Sequence, residues 1–501
     1  MIYTKLMEHQ KLICKFLIDK DYAAIFADYG TGKTLCSLMW IDRLKPEVRK
    51  ILVVSSKTAI LSTWPQEIIK HTNFRYVHLL GTYSQKMLAL KMGLRKSYIP
   101  ETPYAASKIE PIIFLINFDG VRTIYNELIQ SDFNVLIVDE STKIKSPKAL
   151  RTKVLWALSR YVDKRIIMTG FPITENLAEI YSQIKFLDFG KSLGNKYFPF
   201  LDRYFYKAGF KRVPRTGTEK KIFGLIKPFA IRVTNEVLKL PPQVYETKSV
   251  EPTNQQKKLL EQLKDFFSLE LGKVKIDTQF IFTLINKSLQ ICDGFVQDNW
   301  YILGQDKIQC NSCKKSFDID YKKKGHCPSC RHKGYREIIE TAKDEMVMDL
   351  VEEIDPNKNK VIIWSVFRFT IKKLQKIFKK MGYNVLTLTG ETENVDAVVK
   401  KFQNSKNYNI LLATQKKAGE SITLTACKYA IYYSNSWSYD LRANSEARIR
   451  RKGSEKHKSI IYTDIIVKNS IEKLVYDCLR KKKNLVNSLK NEFKNISMGE
   501  K

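Results

Sequence analysis

The 501-residue chain has no apolar run approaching the roughly 20 residues that cross a bilayer as a helix, so a membrane-spanning helix is not expected. Its opening, MIYTKLMEHQKLICKF, lacks the layout of a secretory leader. Acidic residues are scarce: 52 Asp and Glu stand against 86 Lys and Arg, a formal charge of +34. That deficit suggests a polyanionic partner, most simply nucleic acid. A lysine-favouring codon bias is the bland alternative. Nine cysteines, an odd number in a long chain, argue against a disulfide framework. No repeat of fixed short period is evident. With 44% apolar and 11% aromatic residues, wholesale disorder is not expected either. What remains is a soluble, intracellular, cytoplasmic protein of two to four domains, a length too great for one ordinary core.

Short apolar runs alternate with helix-period stretches. AAIFAD precedes a helical pattern from Lys33 to about Arg43, and KILVVSS, PIIFLIN, NVLIVDE and RIIMTG follow. The rhythm restarts with KVIIWSVF, YNVLTLTG, NILLAT, YAIYYSNS and SIIYTDIIV. Runs that are nearly continuous in apolar residues and bounded by turn residues read as parallel strands buried on both faces. The expectation is an α/β fold of two parallel-sheet lobes. The first spans 1–235, a Lys-rich connecting segment or insertion 236–345, the second lobe 346–480, and a basic tail 481–501. The stretch from Ser470 onward reads as a basic amphipathic helix that frays at its end.

FADYGTGKT, Phe26 to Thr34, ends as phosphate-binding loops do, although Ala27 stands where the first glycine of the signature belongs. Gly30, Thr31 and Gly32 form a tight loop whose amides can face phosphates. Lys33 supplies charge for the β- and γ-phosphates, and Thr34 a hydroxyl for magnesium. A chance G-K-T at a helix start is the alternative. About a hundred residues later, NVLIVDEST ends a buried strand in Asp139 and Glu140. A nucleotide hydrolase needs one carboxylate near magnesium and one to activate water, and Asp139 and Glu140 fit those roles in that order. Strand ends also carry acids simply because the chain leaves for solvent there.

The motifs, in order, resemble those of helicase superfamily 2, and within it the SWI/SNF-type translocases of double-stranded DNA, especially their compact phage and viral relatives. LMEHQKLICKFLI is similar to the family's opening glutamine motif, and ILVVSSKTAILSTWPQEI, with Trp64 and Glu67, resembles the next segment. DESTKIKSPKALRT resembles the acidic box. MTGFPITENLAEIYSQIKFL is similar to the T-G-T-P-x-x-N segment, with Asn176 one residue late. IKPFAIRVTNEVLKLPPQ resembles the passage out of the first lobe, and SWSYDLRANSEARIRRKG the final arginine motif. The resemblance implies two RecA-like lobes, an ATPase using ATP and Mg2+, and movement on DNA by a protein that is a monomer when free. It also implies that Gln10 reads the adenine edge and that Arg448 and Arg451 act as arginine fingers. Being three apart, these arginines are expected to share a helical face. Backbone contacts to DNA would come from Ser56, Lys57, Asn117, Ser365, Gly390 and Thr414. Departures from the family pattern are D-E-S-T in place of D-E-A-H, Phe171 for threonine, Arg450 for histidine, and Ser421 and Thr423 for glycine and asparagine. None removes a phosphate, metal or water ligand.

Four cysteines are clustered. Cys310, Cys313, Cys327 and Cys330 make two C-x-x-C pairs separated by thirteen residues. Four thiolates suit a tetrahedral, structural Zn2+ with no open position. Cys14, Cys36, Cys292, Cys427 and Cys478 are scattered and read as small buried residues. The aromatic stretch NKYFPFLDRYFYKAGF reads as a local core, with a nucleic-acid-facing protrusion as the alternative. Three other functions stay open: a strand-separating or branch-migrating helicase in replication, recombination or repair, an RNA-directed motor, and a zinc-containing binding protein such as a viral transcription or packaging factor that no longer hydrolyses ATP.

Overall fold

The computed structural model describes residues 4–44, 50–96, 111–174, 176–209, 211–271, 278–298, 300–303, 307–310, 315–318, 329, 335–418 and 422–481. The chain divides between Leu240 and Pro241 into two compact units.

The first unit holds β1 (Tyr22–Ala27), β2 (Lys50–Ser55), β3 (Arg75–Leu79), β4 (Ile112–Asn117), β5 (Val135–Asp139) and β6 (Lys164–Thr169). A short antiparallel hairpin, β7 (Phe205–Ala208) and β8 (Lys211–Pro214), precedes β9 (Ala230–Val233). Seven strands form one sheet in the order β3-β4-β2-β5-β6-β1-β9, and every pairing is parallel. Alternate residues of a strand face opposite sides of the sheet. Here Ala24, Phe26, Leu52, Val54, Phe114 and Ile116 enter one core, while Ala23, Ile25, Ala27, Ile51, Val53 and Ile113 enter the other. Both phases of the alternation are apolar because both faces are covered, which is why the strands appear in the sequence as unbroken apolar runs.

The second unit opens with β10 (Gln243–Val250). There follow β11 (Phe295–Asp298), the small sheet of β12 (Trp300–Leu303), β13 (Lys307–Cys310) and β14 (Ser316–Asp318), and β15 (Tyr335–Ile338), which pairs with β11. Then come β16 (Val361–Ser365), β17 (Val385–Leu388), β18 (Ile410–Thr414), β19 (Tyr429–Tyr432) and β20 (Ile460–Val467). Its main sheet runs β10-β20-β19-β16-β18-β17, again wholly parallel. Ile363 and Leu412 pack on one face, Ile362 and Leu411 on the other. Residues 243–250, assigned by the sequence to the connecting segment, thus form a strand paired along its whole length with β20. A helix occupies 471–481. Among the described residues no helix is long and apolar enough to cross a membrane.

The aromatic stretch splits its duties. Phe200, Tyr204 and Phe205 are buried in the first unit's core, with Tyr181 against Phe200, whereas Phe198 and Tyr206 are exposed. Cys14, Cys36, Cys292 and Cys427 are buried, and Cys478 is half-buried. Cys310 ends β13, while Cys313, Cys327 and Cys330 lie outside the described residues.

Candidate nucleotide site and nucleic-acid edge

In a parallel sheet all C-terminal strand ends share one edge, where loops gather to bind ligands. In the first unit that edge carries the loop after β1, Ser56 and Lys57 after β2, Asn117 ending β4, Asp139 ending β5, and Gly170 after β6. Ser55 lies opposite Asn117, and Asp139 opposite Met168.

The loop after β1 turns through two glycines in left-handed backbone, Gly30 at φ +82° and Gly32 at φ +83°. A Cβ on Gly32 would come within 2.3 Å of Gln10 Nε2, so glycine is required there for space as well as for φ. The Thr31 hydroxyl donates to Asp28 O at 2.7 Å. Behind the loop, the helix Glu8–Leu17 braces it: Gln10 Nε2 donates to Thr31 O at 3.2 Å, and His9 Nε2 lies 3.0 Å from the same oxygen. Gln10 Oε1 also accepts from the Met7 amide, so the Gln10 amide is engaged at both ends within the protein.

Lys33 begins the helix Lys33–Arg43, and its ammonium donates to Ala27 O at 2.7 Å and Asp28 O at 3.3 Å. Burial pulls Lys33 below its ordinary pKa, while the charges of Glu140, Asp139 and Asp28 oppose that shift. Thr34 occupies the first turn of the same helix.

Asp139 is fixed from three sides. Its Oδ2 accepts from Ser55 Oγ at 3.0 Å and Trp64 Nε1 at 3.1 Å, and its Oδ1 from the Glu140 amide at 3.0 Å. Glu140 has left-handed backbone, φ 58° and ψ 53°. Non-glycine residues hold such backbone only when the surroundings impose it, and strain of that kind gathers at functional sites. The carboxylate pair therefore sits on a sharp turn at the end of a rigid strand.

Asp28 and Arg232 form a buried ion pair, which the sequence reading did not anticipate. Arg232, on β9, also donates to Gly170 O at 2.6 Å. One guanidinium thereby ties the phosphate-type loop to the turn after β6. The signal was present as the arginine of P-F-x-x-R, but its partner lies 204 residues away. Ser55 and Trp64 were likewise not foreseen as partners of Asp139. Asn176 caps a short turn by accepting from the Ala178 amide at 2.9 Å.

In the second unit the helix Tyr439–Ile449 carries Arg448, whose Nη2 lies 3.5 Å from Asn444 Oδ1. The helix ends at Arg450, with φ −94° and ψ 85°, so Arg451 lies beyond it and donates to Ile422 O at 3.2 Å. The expectation that Arg448 and Arg451 share a helical face is corrected: the chain leaves helical backbone between them. Arg442, on the same helix, is held bidentately by Asp464.

Lys57 is exposed, while Ser56 and Asn117 are half-buried. In the second unit, Ser365 and Thr414 are register partners at the C-terminal edge, and Gly390 follows β17. Gly390 is exposed, but Ser365 and Thr414 are buried, so both side chains are turned inward in this structure.

Comparison with known proteins identifies the family. A SNF2-related domain model matches residues 9–298, and a helicase conserved C-terminal domain model matches 342–453. An ATP-dependent helicase of Mycoplasma pneumoniae is 24% identical over 480 residues, covering 94% of this chain and 40% of the relative. The Homo sapiens DNA repair and recombination protein RAD54B is 26% identical over 491 residues, covering 90% of this chain and 50% of its own length. The chain thus spans about half or less of these relatives. Among solved structures, the Sulfolobus solfataricus SWI2/SNF2 ATPase core in complex with dsDNA is 20% identical, covers 99% of this chain and 96% of its own, and has a TM-score of 0.42. With one family model covering more than half of its residues, this chain belongs to the SNF2-related family.

Proposed function

We propose that the protein is a DNA-dependent ATPase that couples Mg-ATP hydrolysis to movement along double-stranded DNA. The observation that carries this reading is the single edge of the first sheet. It carries the Lys33 loop, the Asp139–Glu140 turn and the Ser56, Lys57 and Asn117 group at the C-terminal strand ends of one sheet, with only β6 between β1 and β5. Family membership supports the same reading.

The residues fit their ligands. Gly30 to Lys33 present loop amides and a cation to phosphate. Thr34 and Asp139 would hold magnesium, and Asp139 is oriented for this by Ser55 and Trp64. When bound, magnesium neutralises charge on the phosphate oxygens. Lys33 exchanges its two carbonyl partners for phosphate, Glu140 takes a proton from the attacking water, and Arg448 and Arg451 supply further positive charge. With Gln10 engaged at Met7 and Thr31, its role in this reading is to brace the loop, and adenine contact requires it to re-pair. Lys57, Ser56, Asn117 and Gly390 grip the DNA backbone, which suits a motor because phosphate contacts ignore sequence. Ser365 and Thr414 act from beneath the second unit's own edge.

The reading extends to a structural zinc held by Cys310, Cys313, Cys327 and Cys330, supported by their spacing. It also extends to a monomer working in host cytoplasm on viral DNA in replication, recombination or repair. A phage protein, p41 of Acyrthosiphon pisum secondary endosymbiont phage 1, is 26% identical over 42% of this chain.

The test is ATP hydrolysis without nucleic acid and with single-stranded DNA, duplex DNA or duplex RNA, using Lys33→Ala as the blank. Strong stimulation by duplex DNA is expected. Stimulation only by single strands or RNA would replace the duplex motor with a conventional helicase. Hydrolysis no greater than the blank under every condition would favour a non-hydrolysing binding factor.

A further inference from the structure

Beneath the C-terminal edge of the second sheet lies a charged cluster that the catalytic reading does not use. Asp293 directly follows the helix Thr278–Cys292 and has no exposed surface. Its Oδ2 accepts from Thr370 Oγ1 at 2.8 Å, Ser434 Oγ at 2.9 Å and Ser365 Oγ at 3.3 Å. Its Oδ1 lies 3.2 Å from Lys343 Nζ, which in turn contacts Glu472 Oε1 at 2.6 Å. Lys343 is fully buried as well. Four side chains, from Lys343, Ser365, Thr370 and Ser434, thus meet at one carboxylate.

The two serines do more than fill the space. Ser434 Oγ accepts from the Val366 amide at 3.2 Å, and Ser365 Oγ from the Phe367 amide at 3.1 Å. Their hydroxyls lie 3.1 Å apart. These amides belong to the loop that leaves β16 and enters the helix Arg368–Lys380. Arg368 opens that helix with its side chain 59% exposed, paired with Glu391 beside Gly390. A buried, hydrogen-bonded anion can fix hydroxyl orientation, and through it the path of a backbone carrying an exposed cation. The Asp293 backbone is held in turn: its carbonyl accepts from Lys373 Nζ at 2.9 Å.

We propose that Asp293 is a positioning residue for DNA engagement by the second unit, setting the Val366–Arg368 loop through Ser365 and Ser434. This rests on the duplex-motor reading above. It explains how Ser365, fully buried, still governs a DNA-facing segment: it shapes the loop and does not touch the phosphate.

The experiment is duplex-DNA-stimulated ATPase of the full chain, measured against DNA concentration, for wild type, Asp293→Asn, Ser365→Ala with Ser434→Ala, and the triple variant. Asp293→Asn is expected to raise the DNA concentration for half-maximal rate about tenfold while the rate at saturating DNA stays within about twofold. The serine pair should reproduce that shift, and the triple variant should add nothing to it, since residues acting through one another are non-additive. If Asp293→Asn does not fold, the serine variant carries the test alone, because it leaves the buried charges intact. An unchanged half-saturation in folded variants, or equal losses in half-saturation and maximal rate, overturns the proposal. A wild type indifferent to duplex DNA overturns the motor reading itself, which is a separate result.

Discussion

The Asp28–Arg232 pair should be the most consequential ion pair of the first unit. Its side chains are 2% and 4% exposed, so neither charge has water to fall back on. Removing one partner of such a pair costs about 3–5 kcal/mol, mostly because the other charge stays buried without it. Arg232→Gln also removes the donor to Gly170 O, placing it at the upper end, whereas Asp28→Asn leaves that bond in place. For a unit of this size each kcal/mol shifts Tm by roughly 2–4 °C, so the single variants should melt roughly 6–20 °C early. Calorimetry of the full chain without nucleotide measures this. The double variant Asp28→Ala, Arg232→Met removes both charges and should recover a large part of the loss, since burying apolar groups in place of an ion pair is often neutral. Single variants within about 0.5 kcal/mol of wild type, the range of ordinary surface changes, would refute the claim that this pair holds the loop. A double variant with the full sum of the single losses would refute the electrostatic account while leaving a packing role.

Three further outcomes bear on the site. Glu140→Gln should bind a fluorescent ATP analogue and duplex DNA normally but turn over about 10²–10⁴-fold more slowly; normal hydrolysis would remove Glu140 from the base role. Trp64→Phe keeps an aromatic ring, though a smaller one, and deletes the donor 3.1 Å from Asp139. Hydrogen bonds to charged groups are worth about 1.5–3 kcal/mol, so the magnesium concentration for half-maximal ATPase should rise up to about tenfold, tempered by the remaining Ser55 and Glu140 donors. Elemental analysis of the purified chain should find one zinc per molecule, lost in Cys327→Ser with Cys330→Ser; metal-free wild type would end the zinc reading.

The two-sheet fold was legible because its strands are buried on both faces. Ile51–Val54 and Ile362–Trp364 are apolar at every position, and such runs need no knowledge of their neighbours. β10 was not legible for the opposite reason. It lies at an edge, most of its side chains are exposed, and QVYETKSV carries little apolar signal. Its strand character comes from pairing with β20, a tertiary fact. The end of the arginine helix was hidden in the same way. ANSEARIRRKG contains no breaker before Gly453, yet the backbone turns at Arg450, whose Nε donates to Pro241 O at 2.6 Å.

The candidate site divides along similar lines. The residues proposed to meet a ligand were visible, because loop glycines, a lysine and strand-end carboxylates follow local spacing rules. The residues that aim them were not. Trp64 is 75 positions from Asp139, and Arg232 is 204 from Asp28. Nothing local in the sequence records such a pairing, since it arises only when parallel strands bring distant segments to one edge. Asp293 extends the argument to the second unit. It lies within the 236–345 segment, ahead of the clustered cysteines, and its carboxylate meets Ser365 and Ser434 from two different strand ends. In both sheets the exposed edge is shaped by buried charge supplied from a remote segment. Substitutions at Arg232 and Asp293 should therefore disturb nucleotide and DNA engagement respectively, although neither side chain reaches the surface.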